Sequence, residues 1–258
     1  MKKMLLLFLS FALILGLCAC SKDIVEIDPE PTAADTAALQ SEFEAACACV
    51  ESAVDVSKME SDTRDEENGM YRYWNGSGEE NDAISADFTL EDNTFTIGKT
   101  LISELTALGY KLDINTDTAG PNTVLSFSIT KDDKFFNLSV DNSTDKPQKL
   151  SDMPIMQFSG TSPDDGCLAF TYNGVTCGST LKEALDALGE PKAGITVSTA
   201  TGSQIQLSYL SVSEEDDLST SDSLDVYLKY DKESDSATVT SVNFNRMINN
   251  TGEQEASE

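Results

Sequence analysis

The chain has 258 residues, with 45 acidic and 17 basic side chains and no histidine, which gives a formal net charge of -28 at pH 7. So negative a chain repels the phosphate backbone of nucleic acids, which argues against a nucleic-acid partner. The lack of histidine excludes Ser-His-Asp and Cys-His catalytic groups and most zinc sites, because imidazole is their usual base or ligand. Apolar residues make up 40% of the chain, which is enough to build a folded core.

Residues 1–19 have the pattern of a secretory signal peptide. Lys2 and Lys3 precede an apolar run from Met4 to Leu17, and small residues follow it. The run is shorter than the roughly 20 residues that a membrane-spanning helix needs. The segment therefore predicts export of the chain rather than a permanent membrane span.

The end of the signal peptide resembles the lipobox of bacterial lipoproteins. Leu17-Cys18-Ala19-Cys20 places a leucine three residues before Cys20 and a small residue directly before it. The resemblance implies that Cys20 becomes the mature N-terminus and carries a diacylglycerol, with acyl chains such as palmitate buried in the bilayer. Cys18 fits less well, because Leu17 stands directly before it. The alternative is an ordinary secretory signal with incidental cysteines.

The residue after the lipobox bears on the location. In lipoproteins retained in the inner membrane of two-membrane bacteria, Asp follows the lipidated cysteine, whereas this chain has Ser21. Ser21 therefore predicts the outer membrane if the bacterium has two membranes. If it has one, the anchor lies on the outer face of the plasma membrane, which is the location favoured by the family resemblance described below. Residues 20–31 are charged and contain proline, as is typical of a tether.

Residues 32–56 are expected to form a helix. Their apolar side chains recur at steps of three and four residues and share one stripe: Leu39, Phe43, Cys47, Val50 and Val54. Cys49 lies about 200° round the helix from Cys47, so the two thiols point apart and do not predict a metal site.

Residues 57–83 are acidic and rich in Gly and Asn, which predicts an exposed linker. Its aromatic residues, Tyr71, Tyr73 and Trp74, are expected to pack the linker onto the domain, or alternatively to stack on a sugar or partner.

An internal repeat follows the linker. Residues 88–110 align with residues 168–190 without a gap, at an offset of 80, and nine of the 23 positions are identical. Each copy predicts a hairpin and then a short helix that begins at Thr100 or Thr180. In the second copy Asn173-Gly174 is the hairpin turn.

After each helix the polar and apolar residues alternate. This period of two predicts antiparallel strands at 124–129, 135–140 and 154–159, and again at 204–210, 224–230 and 237–244. The predicted fold class is α+β: two tandem repeats, at 84–161 and 162–246, each a β-hairpin, a short helix and an antiparallel β-meander, preceded by the N-terminal helix. Residues 247–258 are expected as a disordered acidic tail.

The end of the second helix carries a family resemblance. Leu188, Gly189 and Pro191 close a helix that starts with Gly-x-Thr-Leu and precedes a meander. This pattern resembles tandem-repeat bacterial lipoproteins of the β-lactamase-inhibitor-like kind and their outer-membrane assembly relatives. The resemblance covers residues 84–246, but the first copy has Tyr110-Lys111 in place of the proline. It implies a scaffold that binds proteins, and no binding residue carries over by motif.

Four cysteines remain after the lipobox: Cys47, Cys49, Cys167 and Cys177. Cys177 aligns with the apolar Ile97, which predicts burial. An exported protein can also oxidise its cysteines, and four of them allow three pairings. Core packing and a disulfide, including one that joins the 47/49 helix to the 167/177 hairpin, therefore both stay open.

No motif predicts catalysis, a metal site or a cofactor. The acidic clusters at Asp164-Asp165, at 214–217 and at Asp222/Asp225 lack the spacing of a calcium loop and are expected as solvated loops. No nucleophile elbow, phosphate loop or dinucleotide fingerprint is present. We therefore expect a lipid-anchored, non-catalytic lipoprotein that contacts the bilayer through Cys20 and binds an envelope protein. The alternative is an envelope solute-binding protein or hydrolase with a ligand cleft between the repeats.

Overall fold

The computed structural model describes residues 33–59, 61–65, 69–74, 84–199, 203–215 and 218–250. The chain divides into two compact units, Met1–Thr36 and Ala37–Glu258, and the description below concerns the second. The expected signal peptide, Cys20 and the tether lie outside the described residues. Within the described ranges, no helix is long and apolar enough to cross a membrane.

The described residues contain three α-helices and fifteen strands. The helices are α1 Ala33–Ala53, α2 Ile102–Ala107 and α3 Leu181–Leu188, and single 3-10 turns lie at Val56–Lys58, Leu150–Asp152 and Pro163–Asp165. The strands of the first half are β1 Ser61–Asp65, β2 Met70–Trp74, β3 Asp87–Leu90, β4 Asn93–Thr96, β5 Lys111–Asp113, β6 Thr118–Ala119, β7 Thr123–Lys131, β8 Lys134–Asn142, β9 Gln148–Lys149 and β10 Gln157–Thr161. Those of the second half are β11 Phe170–Thr171, β12 Gly194–Ser198, β13 Gln204–Glu215, β14 Leu218–Asp231 and β15 Ser236–Asn250.

The expectation of an α+β fold made of two tandem repeats is wrong. The chain is mostly β, with 50% of its described residues in strands and 21% in helices. One antiparallel sheet of ten strands, in the order β1-β2-β12-β13-β14-β15-β10-β8-β7-β5, contains both meanders. A second sheet, in the order β11-β3-β4, contains strands of both expected hairpins. Because unpaired strand edges leave backbone groups exposed, the two halves pair edge to edge in both layers instead of forming separate units.

The large sheet has one covered face and one open face. Along β15 the alternate residues Val242 and Phe244 are buried, whereas Asn243 and Asn245 lie on the other side. We call the side of Phe244 the covered face and the side of Asn243 the open face. The covered face belongs to one hydrophobic core, which also takes in buried side chains of the three helices and of the smaller sheet.

Aromatic rings join the two halves within this core. The Phe158 ring of β10 lies 4.7 Å from Phe88 and 6.0 Å from Phe244 of β15, measured between ring centroids. Gly160 leaves room for the Phe170 ring of β11 in the smaller sheet, since a Cβ atom at Gly160 would lie 2.4 Å from Cε1 of that ring. The tight packing of β11 on β10 therefore requires glycine at this position.

Helix α1 packs by the stripe that its sequence predicts. Phe43, Cys47, Val50 and Val54 are buried, and only Leu39, near the start of the helix, is 43% exposed. The Tyr73 hydroxyl donates a hydrogen bond of 2.8 Å to Glu51 Oε1 and so ties β2 to this helix.

The segments expected as linker and tail contain strand residues. Within 57–83, β1 and β2 form an antiparallel hairpin, and β2 pairs with β12 of the large sheet. The expected tail begins as strand, because β15 continues to Asn250; residues 251–258 lie outside the described part of the chain.

The two short helices begin differently. Thr180 caps α3 as expected: its Oγ1 accepts a hydrogen bond from the Glu183 backbone N–H, and a Glu183 carboxylate oxygen accepts one from the Thr180 N–H. The Thr180 N–H and hydroxyl both donate to the Glu183 carboxylate and lower its pKa. Thr100 does not cap α2, since its Oγ1 accepts instead from the Thr96 N–H, and Leu101 is the N-cap residue.

A mostly buried ion pair joins β14 and β15 on the covered face of the large sheet. Arg246 of β15 donates from Nε to Asp222 Oδ1 of β14 at 2.7 Å and from Nη2 to the second carboxylate oxygen. Its Nη1 donates to the Ile97 carbonyl oxygen at 2.8 Å, so one side chain connects the second half to the loop after β4. The hydrogen bonds to Asp222 raise the pKa of Arg246.

We expect Asp222→Asn to lower the free energy of unfolding by about 3 to 5 kcal/mol, because it leaves a mostly buried guanidinium without its counter-charge. Urea unfolding followed by circular dichroism measures the change. Asp186→Asn is the matched control: it breaks the exposed Lys182–Asp186 pair on α3 and should leave stability almost unchanged. Equal stability of the two variants would contradict the structural role of the buried pair.

Candidate functional site

Two rows of side chains cross the open face at right angles to the strands. The register of β13, β14, β15, β10, β8 and β7 aligns them. The first row is Ser208, Asp225, Asn243, Ser159, Asn137 and Ser128; the second is Leu210, Ser223, Asn245, Gln157, Ser139 and Ser126. We call these two rows the polar tract.

The polar tract is almost free of charge. The chain contains 45 acidic residues, yet Asp225 is the one charged side chain among the twelve of the tract. An exposed strand face in so acidic a chain would ordinarily carry carboxylates, and charged residues are depleted at the centres of protein interfaces. The tract is thus a surface rich in hydroxyl and amide groups that differs from the rest of the chain.

A depression of about 340 Å³ lies in the middle of the tract. Its floor spans β8, β10, β15 and β14, so it lies across the strands where the two halves join. The polar side chains around it are Ser126, Asn137, Ser139, Gln157, Ser159, Ser223, Asp225, Asn243 and Asn245.

Hydrogen bonds hold much of the tract in place. Asp225 Oδ1 accepts bonds from Ser208 Oγ at 2.7 Å and from Gln206 Nε2 at 2.9 Å. On the other side of the depression Ser128 Oγ donates to Asn137 Oδ1 at 2.7 Å. The charge of Asp225 is therefore held at a fixed place on the face.

Two amide groups of the tract keep unused hydrogen-bonding capacity. Asn243 Oδ1 and Asn245 Oδ1 are buried and have no hydrogen-bond partner. Rotation of an amide about χ2 exchanges its oxygen and nitrogen with little change of shape, so each group can present a donor or an acceptor. Burial raises the pKa of Tyr227, and a hydrogen bond from Asn243 opposes that rise.

A second depression, of about 410 Å³, lies on the same face towards β1 and β2. Arg72 is the one charged residue among the described side chains that line it, and Gln206 and Ser208 line its side nearest the polar tract. Arg72 is exposed and makes no ion pair with any described residue. The open face thus carries two neighbouring depressions, each with a single charge, and the two charges have opposite signs.

A further depression, of about 430 Å³, lies elsewhere, beside α1, α3 and the turn before β15. Its charges are already paired or bonded: Lys182 binds Asp186 at 2.6 Å, and Asp235 accepts a hydrogen bond from the Tyr230 hydroxyl. This cavity offers fewer unsatisfied polar groups than the open face.

The acidic clusters named in the sequence analysis do not come together at one site in the described part of the chain. Asp222 pairs with Arg246, whereas Asp225 lies on the open face, so these two carboxylates point to opposite sides of the sheet. Asp164 and Asp165 are exposed in a 3-10 turn, and the side chains of 214–217 lie outside the described residues. No group of three Cys, Asp or Glu side chains that could hold a metal ion occurs in the part of the chain that the structure describes.

The four expected cysteines are free thiols in the structure. Cys47 and Cys167 are buried in the core, and Cys49 and Cys177 are partly buried at its edge. Burial raises the pKa of Cys49 and of Cys167. It raises that of Cys177 to about 11, and the Cys177 thiol donates to the Thr240 carbonyl oxygen at 3.2 Å.

Comparison of the chain with protein-family models, with curated proteins and with solved structures finds no match. The site is therefore characterised by its own geometry. That geometry provides hydroxyl and amide groups for binding, with one carboxylate and one guanidinium.

We expect iodoacetamide at pH 8 to alkylate Cys177 about 100 times more slowly in the folded chain than in urea, because a pKa of about 11 instead of 9.0 reduces the reactive thiolate. The rate in the folded chain should rise as the pH approaches 11. Mass spectrometry of tryptic peptides at timed intervals measures both rates. Equal rates in the folded and unfolded chain would contradict the burial of this thiol.

Proposed function

We propose that this chain is a lipid-anchored extracytoplasmic protein that binds an envelope protein, without catalysis, through the open face of its sheet. The observation that carries the proposal is the polar tract, a surface with one charge among twelve side chains in a protein of net charge -28. The other charged side chains of the open face, among them Asp113, Asp141 and Lys229, lie outside the two rows of the polar tract, so charge is rare at the centre of the face. A face whose centre must be desolvated against a partner gains from this arrangement, because burying an unpaired charge is costly.

The lipid anchor and the location are part of the same proposal. The lipobox resemblance at Leu17 to Cys20 supports an anchor at Cys20, with the folded unit outside the cytoplasm and connected to the bilayer by residues 20–31. The strong negative charge would keep that unit away from an anionic bilayer and leave the open face accessible.

A second candidate function is the binding of a small envelope solute. The depression over β10 and β15 favours it, because this cavity lies where the two halves meet and contains two amide oxygens without partners. A rise in melting temperature with a sugar or a divalent cation, at concentrations that saturate, would support it. A hydrolase has no comparable observation in its favour.

We expect Cys20→Ala to move the protein from the membrane fraction to the soluble extracytoplasmic fraction, because the thiol that accepts the diacylglycerol is lost. Cys18→Ala is the matched control and should stay with the membrane. Fractionation followed by immunoblotting measures the distribution. Membrane attachment of the Cys20→Ala protein equal to that of the unchanged chain would contradict the anchor.

We expect Ser159→Tyr to reduce partner binding at least about ten-fold, because a large ring in the centre of the tract obstructs the desolvated part of the interface. Thr94→Tyr is the control, since Thr94 is exposed on β4 of the smaller sheet, away from the open face. Both replace a small polar strand residue by tyrosine.

The measurement is quantitative cross-linking and capture of envelope proteins by the full chain at about 50 and 300 mM salt, because a bait this acidic attracts basic proteins non-specifically at low salt. The proposed protein-binding function predicts that a partner stays bound at high salt. The Ser159→Tyr chain should not capture this partner, and the Thr94→Tyr chain should. Capture that is the same for both variants would contradict binding through the open face.

A further inference from the structure

The open face carries a pair of opposite charges at a fixed separation. Asp225 lies on β14 in one depression, and Arg72 lies on β2 in the other. The register connects them directly, since Arg72 pairs with Thr196, Thr196 with Gln206 and Gln206 with Tyr227, which is two residues from Asp225. Three strand spacings across and two residues along the strand put the two Cα atoms about 16 Å apart.

Both charges are available to a ligand. Ser208 and Gln206 bind the same oxygen of Asp225, Oδ1, which leaves Oδ2 without a hydrogen bond from the described residues. Arg72 has no ion-pair partner among them either. Among the residues that the structure describes, no other charged side chain lines either depression.

The surface between the charges suits a polypeptide backbone. Gln206 and Ser208 line the depression of Arg72 and are hydrogen-bonded to Asp225, so the two depressions adjoin. Amide and hydroxyl side chains both donate and accept hydrogen bonds, as the N–H and C=O groups of an extended segment require. In an extended segment, two residues four positions apart lie about 13 Å from each other and point to the same face. Long side chains at these two positions can reach the two charges, whose Cα atoms are about 16 Å apart.

We infer that the occupant of the open face is an extended segment of a protein partner that crosses the strands, with a basic side chain on Asp225 and an acidic side chain four residues away on Arg72. This inference rests on the proposed function and specifies the partner's chemistry. A basic group fits the depression of Asp225, because the free oxygen of this carboxylate can accept hydrogen bonds from a guanidinium. An acidic group fits Arg72, whose planar guanidinium binds a carboxylate by two parallel bonds.

The test uses the full chain in detergent and three capped peptides, with binding measured by saturation-transfer NMR. Ac-Arg-Ser-Thr-Ser-Glu-NH2 carries the two charges at the inferred spacing. Ac-Arg-Glu-Ser-Thr-Ser-NH2 has the same composition with adjacent charges, and Ac-Gln-Ser-Thr-Ser-Gln-NH2 has none. We expect the first peptide to bind at least about ten times more tightly than either of the others.

Two variants assign the charges. Asp225→Asn and Arg72→Gln should each weaken binding of the spaced peptide about ten-fold, because each removes one charge-assisted hydrogen-bonding contact. Lys182→Gln, on α3, is the control and should bind like the unchanged chain. Melting curves establish that each variant is folded.

The results separate this inference from the proposed function. Equal binding of the spaced and adjacent-charge peptides, no binding of the spaced peptide, or no effect of both charge variants overturns the inference. If Ser159→Tyr still prevents capture of the envelope partner, the proposed function stands without it. If Ser159→Tyr leaves capture of the partner unchanged, the proposed function fails, and the inference that rests on it fails with it.

Discussion

The pairing of β10 with β15 is the interaction on which both faces of the sheet depend. Five residue pairs, from Gln157 with Asn245 to Thr161 with Ser241, join the first half of the chain to the second. On the covered face this register puts Phe158 against Phe244, at the centre of the aromatic core. On the open face it puts Ser159 beside Asn243 and so completes the polar tract. Because side chains alternate with a period of two, a slip of one residue would bury the polar tract and expose the rings.

The ion pair of Arg246 and Asp222 stabilises this register from the covered side. Arg246 follows directly after Asn245 on β15, and its backbone N–H donates to the Met156 carbonyl oxygen next to β10. Its side chain reaches Asp222 and the carbonyl of Ile97, so strands of both layers meet at one guanidinium. At Gly98 a Cβ atom would lie 3.1 Å from the Arg246 side chain, and φ is +79°, a region that favours glycine. The polar tract is thus supported by a buried polar contact on the opposite face.

Local patterns in the sequence predicted the elements well, and their assembly poorly. The apolar stripe located α1, Asn173-Gly174 forms the expected turn between Tyr172 and Val175, and five of the six alternating segments fall within strands. Periodicity does not show which strand edges pair, so the contact of β10 with β15, which makes a single sheet, was not predictable from it. The same limit applies to the site. Asn243 and Asn245 stand out in the sequence as neutral polar residues, but their proximity to Gln157 and Ser159 depends on a pairing across more than 80 residues.

The distribution of charge gives the open face two separate roles in binding. The net charge of -28 produces a long-range field that repels acidic proteins and steers basic ones, and salt screens this field within about 10 Å at 0.1 M. The polar tract is almost neutral, so contacts made there are hydrogen bonds and packing that salt weakens little. The rate of association should therefore depend on salt, while the rate of dissociation should depend on the fit to Asp225, Arg72 and the amides between them. A chain with carboxylates throughout the two rows of the polar tract would lose that separation, because a partner would have to desolvate several charges before it could make contact.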